Sequence, residues 1–156
     1  MDPRLEGVAG HLALTADLAR PARLELGGRA LDCIASPGYD AAAVTFYDAC
    51  TGFLLTGDTV YRGRLYVEDW PVFVDSIDRL IAFAKTHPVS YALGCHIEMT
   101  TTAGVDYPIG TTYQPDEPPL EMTVAQFRDV HRALGEIDGR PGRHVYPEFV
   151  IDHEGS

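Results

Sequence analysis

Apolar and polar positions alternate from Ala22 to Leu26 and again from Arg29 to Ala35, with Gly27-Gly28 between the two runs. A period of two interrupted by a paired-glycine turn predicts a β-hairpin. In its second strand Leu31, Cys33 and Ala35 share one face, and Ala30, Asp32 and Ile34 the other. Ser36-Pro37-Gly38 breaks the chain sharply. The β-branched and aromatic run from Ala42 to Tyr47 predicts a further strand, and Thr51-Gly52 after Asp48 reads as a second hairpin turn. Phe53-Leu54-Leu55-Thr56 is a short apolar run, the pattern of a strand buried on both faces, and it ends at Gly57-Asp58.

Phe73, Ile77, Leu80, Ile81 and Ala84 then recur at helical spacing. They predict an amphipathic helix over roughly 70 to 86, with Asp69 as N-cap, Pro71 in the first turn and His87-Pro88 as its stop. Val89 to Leu93 reads as one more strand, ending at Gly94-Cys95-His96. Four prolines between Thr100 and Pro119 predict a long ordered loop over the surface. Thr123 and Gln126 form a capping box ahead of a second helix, whose apolar stripe is Phe127, Val130 and Leu134. Gly139 to Gly142 ends that helix, and Phe149-Val150-Ile151 is a last short apolar run. Residues 1 to 21 read as an N-terminal arm, in which Gly7 to Leu14 has the pattern of a short strand. With 156 residues the chain suits one mixed α and β domain, 1–156.

Charge narrows the function classes. Asp and Glu number 23 against 12 Lys and Arg, for a formal net charge of −11. Gripping a phosphate backbone needs clustered cations, so no nucleic-acid partner is expected, and the acidity reads as solubility. Cys33, Cys50 and Cys95 are odd in number and irregular in spacing, which suits neither a disulfide framework nor a CxxC zinc site. No run has the length of a membrane span or the form of a signal peptide, so no membrane partner is expected and cytoplasm is the expected compartment.

Candidate chemistry lies just past two strand ends. Thr56-Gly57-Asp58-Thr59 follows one and Gly94-Cys95-His96-Ile97-Glu98 the other. Taken singly, Asp58 also fits a cap on the next turn, and His96 a structural histidine. Taken together, with one crossover helix between them, they are brought to a common sheet edge, where rigid elements hold metal ligands well. Glu98 lies on the same side as His96 along an extended segment and reads more simply as a hydrogen-bond partner or an exposed carboxylate. His11, His87, His131, His144 and His153 have no ligand-like spacing, and most read as surface residues.

From Leu24 to His96 the order of these features resembles the second half of a metallo-β-lactamase-fold hydrolase. That pattern has a Gly-turn hairpin, a PGH loop, a hairpin, a strand ending in TGD, a helix and a strand ending in a metal-ligating histidine. Here Gly27-Gly28, Ser36-Pro37-Gly38-Tyr39, Thr56-Gly57-Asp58, the helix and Gly94-Cys95-His96 stand in that order. The core of the resemblance is 22–99, and 100–156 is similar to extensions of some members. It implies an α+β fold: a truncated half of a metallo-β-lactamase-like αββα sandwich, its mixed sheet carrying helices on one face.

The resemblance implies Asp58 and His96 as metal ligands and catalytic residues, with zinc as the cofactor. Two departures limit it. Tyr39 stands where the pattern has a histidine, which leaves it as a hydrogen bonder or an oxyanion donor. The H-x-H-x-D-H motif is absent, and His11 is the only histidine before residue 87. Two ligands fall short of the three a catalytic zinc needs, so one chain is expected to hold zinc poorly. Half a sandwich also leaves an apolar sheet face uncovered, which implies a homodimer or a partner chain over it. The implied function is a hydrolase-like protein with a degenerate metal site, acting on an ester, thioester, lactone or lactam when assembled. A non-catalytic half-fold that binds a small molecule or a protein is the alternative, and a fragment of a longer protein is the third.

Overall fold

The computed structural model describes residues 20–155; the Gly7 to Leu14 expectation and His11 lie outside them. The hairpin at the start is β1 (Ala22–Glu25) and β2 (Ala30–Ala35), antiparallel with Ala22 opposite Cys33 and Glu25 opposite Ala30. β3 (Val44–Asp48) and β4 (Phe53–Gly57) extend the sheet, both antiparallel to their predecessors. After β5 (Arg64–Val67) comes α1 (Trp70–Thr86), then β6 (Tyr91–Gly94), which pairs with β4 in parallel. β7 (Glu121–Thr123) closes a six-stranded sheet in the order β1-β2-β3-β4-β6-β7.

α1 forms where the sequence predicts it. Asp69 accepts a bond from the Val72 amide at 3.2 Å, Pro71 sits in the first turn, and Phe73, Ile77, Leu80 and Ile81 are buried. Each such side chain contributes roughly 1.5–3 kcal/mol through burial. α2 (Val124–Ile137) starts at the expected capping box and buries Phe127, Val130 and Leu134. Both helices share one core with Ile34, Tyr47, Leu54, Ala92 and Met122 from the inner face of the sheet. The fold is therefore α+β, with a mixed sheet and its described helices on one face.

A second sheet was not expected. β9 (Val150–His153) lies between β5, to which it is parallel, and β8 (Gly142–Val145), to which it is antiparallel. Leu65, Val67, Phe149 and Ile151 join it to the same core. The strands β5, β7 and β8 escape periodicity because they are three or four residues long and take partners distant in sequence.

One expectation about β4 is corrected. Leu54 is fully buried, but Leu55 is 37% exposed, so the strand is covered on its inner face only. Leu55 stands on the outer face in a cross-strand row, Ala22-Cys33-Phe46-Leu55-Leu93, that spans five strands. His153 also departs from expectation: it is buried, its ring 4.9 Å from that of Trp70. No helix among the described residues is long and apolar enough to cross a membrane.

Candidate metal centre

The parallel pairing of β4 and β6 places the two chemistry-bearing strand ends side by side, with Gly57 opposite Gly94. The residues that follow each strand then leave the sheet at the same edge. A bond from the Cys95 amide to the Gly57 carbonyl at 3.3 Å holds the two segments together. Gly94 is needed for this closeness, since a β-carbon there would lie 2.2 Å from Cβ of Tyr61.

Asp58 Oδ1 receives the Cys95 thiol at 2.9 Å and stands 2.9 Å from His96 Nε2. One donor atom from each of the three residues lies within 4.8 Å of the others. Asp58 is half-buried and the other two are exposed, so the cluster opens to solvent. Asp58 and His96 are brought together as the sequence predicts. The irregular spacing of the three cysteines gives no sign of Cys95 as a ligand; only the parallel pairing aims it at Asp58. Burial, and then the bond to Asp58, pushes the Cys95 thiol up to about 11, so it is held protonated at neutral pH.

Tyr61 and Glu98 form the wall behind His96. The Tyr61 and His96 rings are 4.2 Å apart, and burial raises the Tyr61 phenol far above its usual value, keeping it a donor to the Arg64 carbonyl. Glu98 is not aimed at the cluster. Its Oε1 accepts from Arg64 Nη2 at 2.8 Å and its Oε2 from the Arg64 amide at 2.7 Å, leaving Oε1 4.0 Å from His96 Nδ1. The guanidinium of Arg64 continues to Asp106 at 2.7 Å, and Arg143 reaches the other oxygen of Asp106 at 2.7 Å. This largely buried chain of charges fastens the start of the Pro-rich loop to the second sheet.

Tyr39 takes a peripheral place. Gly38 docks against the first turn of α1, where a β-carbon would meet Phe73 Cα at 2.4 Å, and its carbonyl accepts from the Glu68 and Asp69 amides. Tyr39 follows directly. Burial first, then the charge of Asp58, raises its phenol above the usual value, but no hydrogen bond joins the two side chains. The other described histidines stand apart from the cluster. His87 stacks on Phe83 at 3.7 Å, His131 contacts Asp78 at 2.7 Å, and His144 contacts the Arg140 carbonyl at 2.9 Å.

No protein-family model and no curated protein matches the chain. Among solved structures it is similar to an archaeal metallo-β-lactamase superfamily protein from Sulfolobus tokodaii, at 12% identity and a TM-score of 0.47, over 72% of this chain and 36% of that one. A metallo-β-lactamase family protein from Thermus thermophilus matches at 16% identity and a TM-score of 0.45, over 75% and 34%. The B3 metallo-β-lactamase BLEG-1 matches at 16% identity and a TM-score of 0.46, over 85% and 58%. The chain thus spans between a third and three fifths of the length of these structures.

Proposed function

We propose that Asp58, Cys95 and His96 hold a zinc ion, and that the assembled protein is a hydrolase acting on an ester, thioester, lactone or lactam. The observation that carries this reading is the meeting of three different donors at two adjacent strand ends. Carboxylate, thiolate and imidazole are each ordinary zinc ligands, and a set of three leaves a fourth position for water or substrate. With Cys95 included, the ligand count within one chain rises from two to three. When bound, zinc supplies Lewis acidity toward a carbonyl oxygen and an acidified water.

The chain's own residues have distinct parts in this reading. Cys95 gives up its thiol proton on binding metal, so uptake releases a proton. Tyr61 orients His96 from behind by ring contact. Tyr39, a neutral phenol near Asp58, is the donor we assign to the oxyanion. A second copy covering the outer face of the six-stranded sheet is the partner we assign, since Leu55 and Tyr91 are 37% and 39% exposed there.

The non-catalytic reading also has an observation in its favour: Asp58 Oδ1 meets both the Cys95 thiol and the His96 ring, contacts that by themselves tie the two strand ends together. Elemental analysis of protein purified without chelators separates the two. About one zinc per chain, lost in Asp58→Ala and in Cys95→Ser, is the expected result. Protein that stays metal-free when dialysed against micromolar zinc would overturn the metal reading and leave the cluster as a hydrogen-bonded strand-end clasp.

A further inference from the structure

A cavity of about 320 Å³ lies between the Met99 to Ala103 segment, α2 and the Tyr146 to Phe149 turn, and uses none of the residues of the Asp58 cluster. Arg62 lines it. This residue is only 9% exposed, and its Nε is buried with no hydrogen-bond partner. The nearest carboxylate, Glu148, stands 3.8 Å from Arg62 Nη1 and already accepts a bond from Gln126 Nε2 at 2.8 Å. A separation of 3.8 Å is an ion contact without a hydrogen bond. A buried guanidinium is a fixed fork of five donors that is costly to leave unmatched.

We propose that this cavity binds a small monocarboxylate with an apolar tail, its carboxylate on Arg62. The fork geometry favours a planar, two-oxygen acceptor over a point charge. The charge balance favours a monoanion. Asp129 and Glu148 line the same cavity, and Arg132, the second cation there, is engaged by Asp129 at 2.9 Å and by Glu136 at 3.6 Å. A phosphate dianion would face those two carboxylates with only Arg62, itself in the 3.8 Å ion contact with Glu148, to offset its charge. Met99 and the stacked pair Tyr146 and Phe149, 5.0 Å apart, give the tail an apolar wall. The volume sits at the lower end of the usual range for ligand sites, about 300–1,000 Å³, which suits a ligand of one ring or a short alkyl chain.

The test is a two-dimensional amide NMR titration of the whole chain with phenylacetate and, separately, with inorganic phosphate. Phenylacetate is expected to give saturable shifts centred on Arg62, Thr101 and Phe149, with phosphate leaving the same amides unmoved. Arg62→Gln should weaken phenylacetate about tenfold or more. Ala103→Phe, at an exposed position on the cavity wall, should abolish binding by filling the space, and it decides the matter if Arg62→Gln does not fold. No saturable shift with phenylacetate, equal binding of phosphate, or undiminished binding in Ala103→Phe would each overturn the proposal. Metal content has no bearing on any of these outcomes.

Discussion

At Asp58 a single carboxylate oxygen meets both the Cys95 thiol and the His96 ring. Two residues past His96, Glu98 is locked to Arg64 by two contacts of 2.8 Å or less. These neighbouring acids should respond differently to removal. Asp58 lies at an opening to solvent, where such contacts are screened, and Asp58→Ala is expected to change stability by less than about 1 kcal/mol. Glu98→Ala leaves the Arg64 guanidinium paired with Asp106 but takes the acceptor from its Nη2 and from the Arg64 amide, with an expected cost of about 2 kcal/mol. Urea denaturation of both variants checks the contrast, and a comparable loss in the two would show that Asp58 is structural. Asp58 and His96 were legible in the sequence because each ends an apolar strand. Cys95 was not, because its relevance depends on which strand lies beside it.

Among the elements, the β3–β4 hairpin turns on Asp48. The carboxylate is bonded by Arg29, by the Thr51 hydroxyl at 2.7 Å and by the Cys50 amide at 3.0 Å. These contacts, the one from Arg29 first, hold Asp48 well below the usual carboxylate range. The folded value lies below the unfolded one, so the stabilisation is complete above about pH 4 and is lost as the pH falls toward the folded value. The urea midpoint is therefore expected to drop on acidification below pH 4, and Asp48→Asn should flatten that part of the profile. An unchanged profile in Asp48→Asn would assign the acid sensitivity to Asp106, whose carboxyl is raised by burial but brought below its usual value by hydrogen bonds from Arg64 and Arg143. Both helices and the longer strands were legible because their apolar spacing and caps are local. The strands of the second sheet were not, since four residues such as Arg64 to Val67 carry no periodicity until Val150 to His153 pairs with them.

For the whole molecule, assembly turns on the outer sheet face, which is exposed at Leu55 and Tyr91 while Cys33 and Ala35 lie buried in a small cluster with Ala22, Leu24, Val44 and Phe46. The row Ala22-Cys33-Phe46-Leu55-Leu93 crosses five strands, and Phe53 and Tyr91 form a second pair beside it with rings 6.4 Å apart. The described helices pack on the opposite face. If a second copy covers this face, sedimentation equilibrium should give a dimer, and Leu55→Asp should convert it to a monomer with unchanged circular dichroism. A wild-type monomer at tens of micromolar would remove the dimer from the functional reading while leaving the zinc ligands to be judged on metal content.

The sequence by itself determined which segments are strands of useful length, where both described helices begin and end, and that two metal-competent side chains follow strand ends. Those features depend on spacing and capping within a few residues, so they are written locally. The tertiary structure alone decided that β4 and β6 run in parallel with Gly57 beside Gly94, that Cys95 joins Asp58 and His96, and that Glu98 is spent on Arg64. It also decided that Arg62 is buried without a hydrogen-bond partner at its Nε beside a cavity. Each of these is a matter of which distant segment comes to lie alongside, and that is set by packing of the whole core.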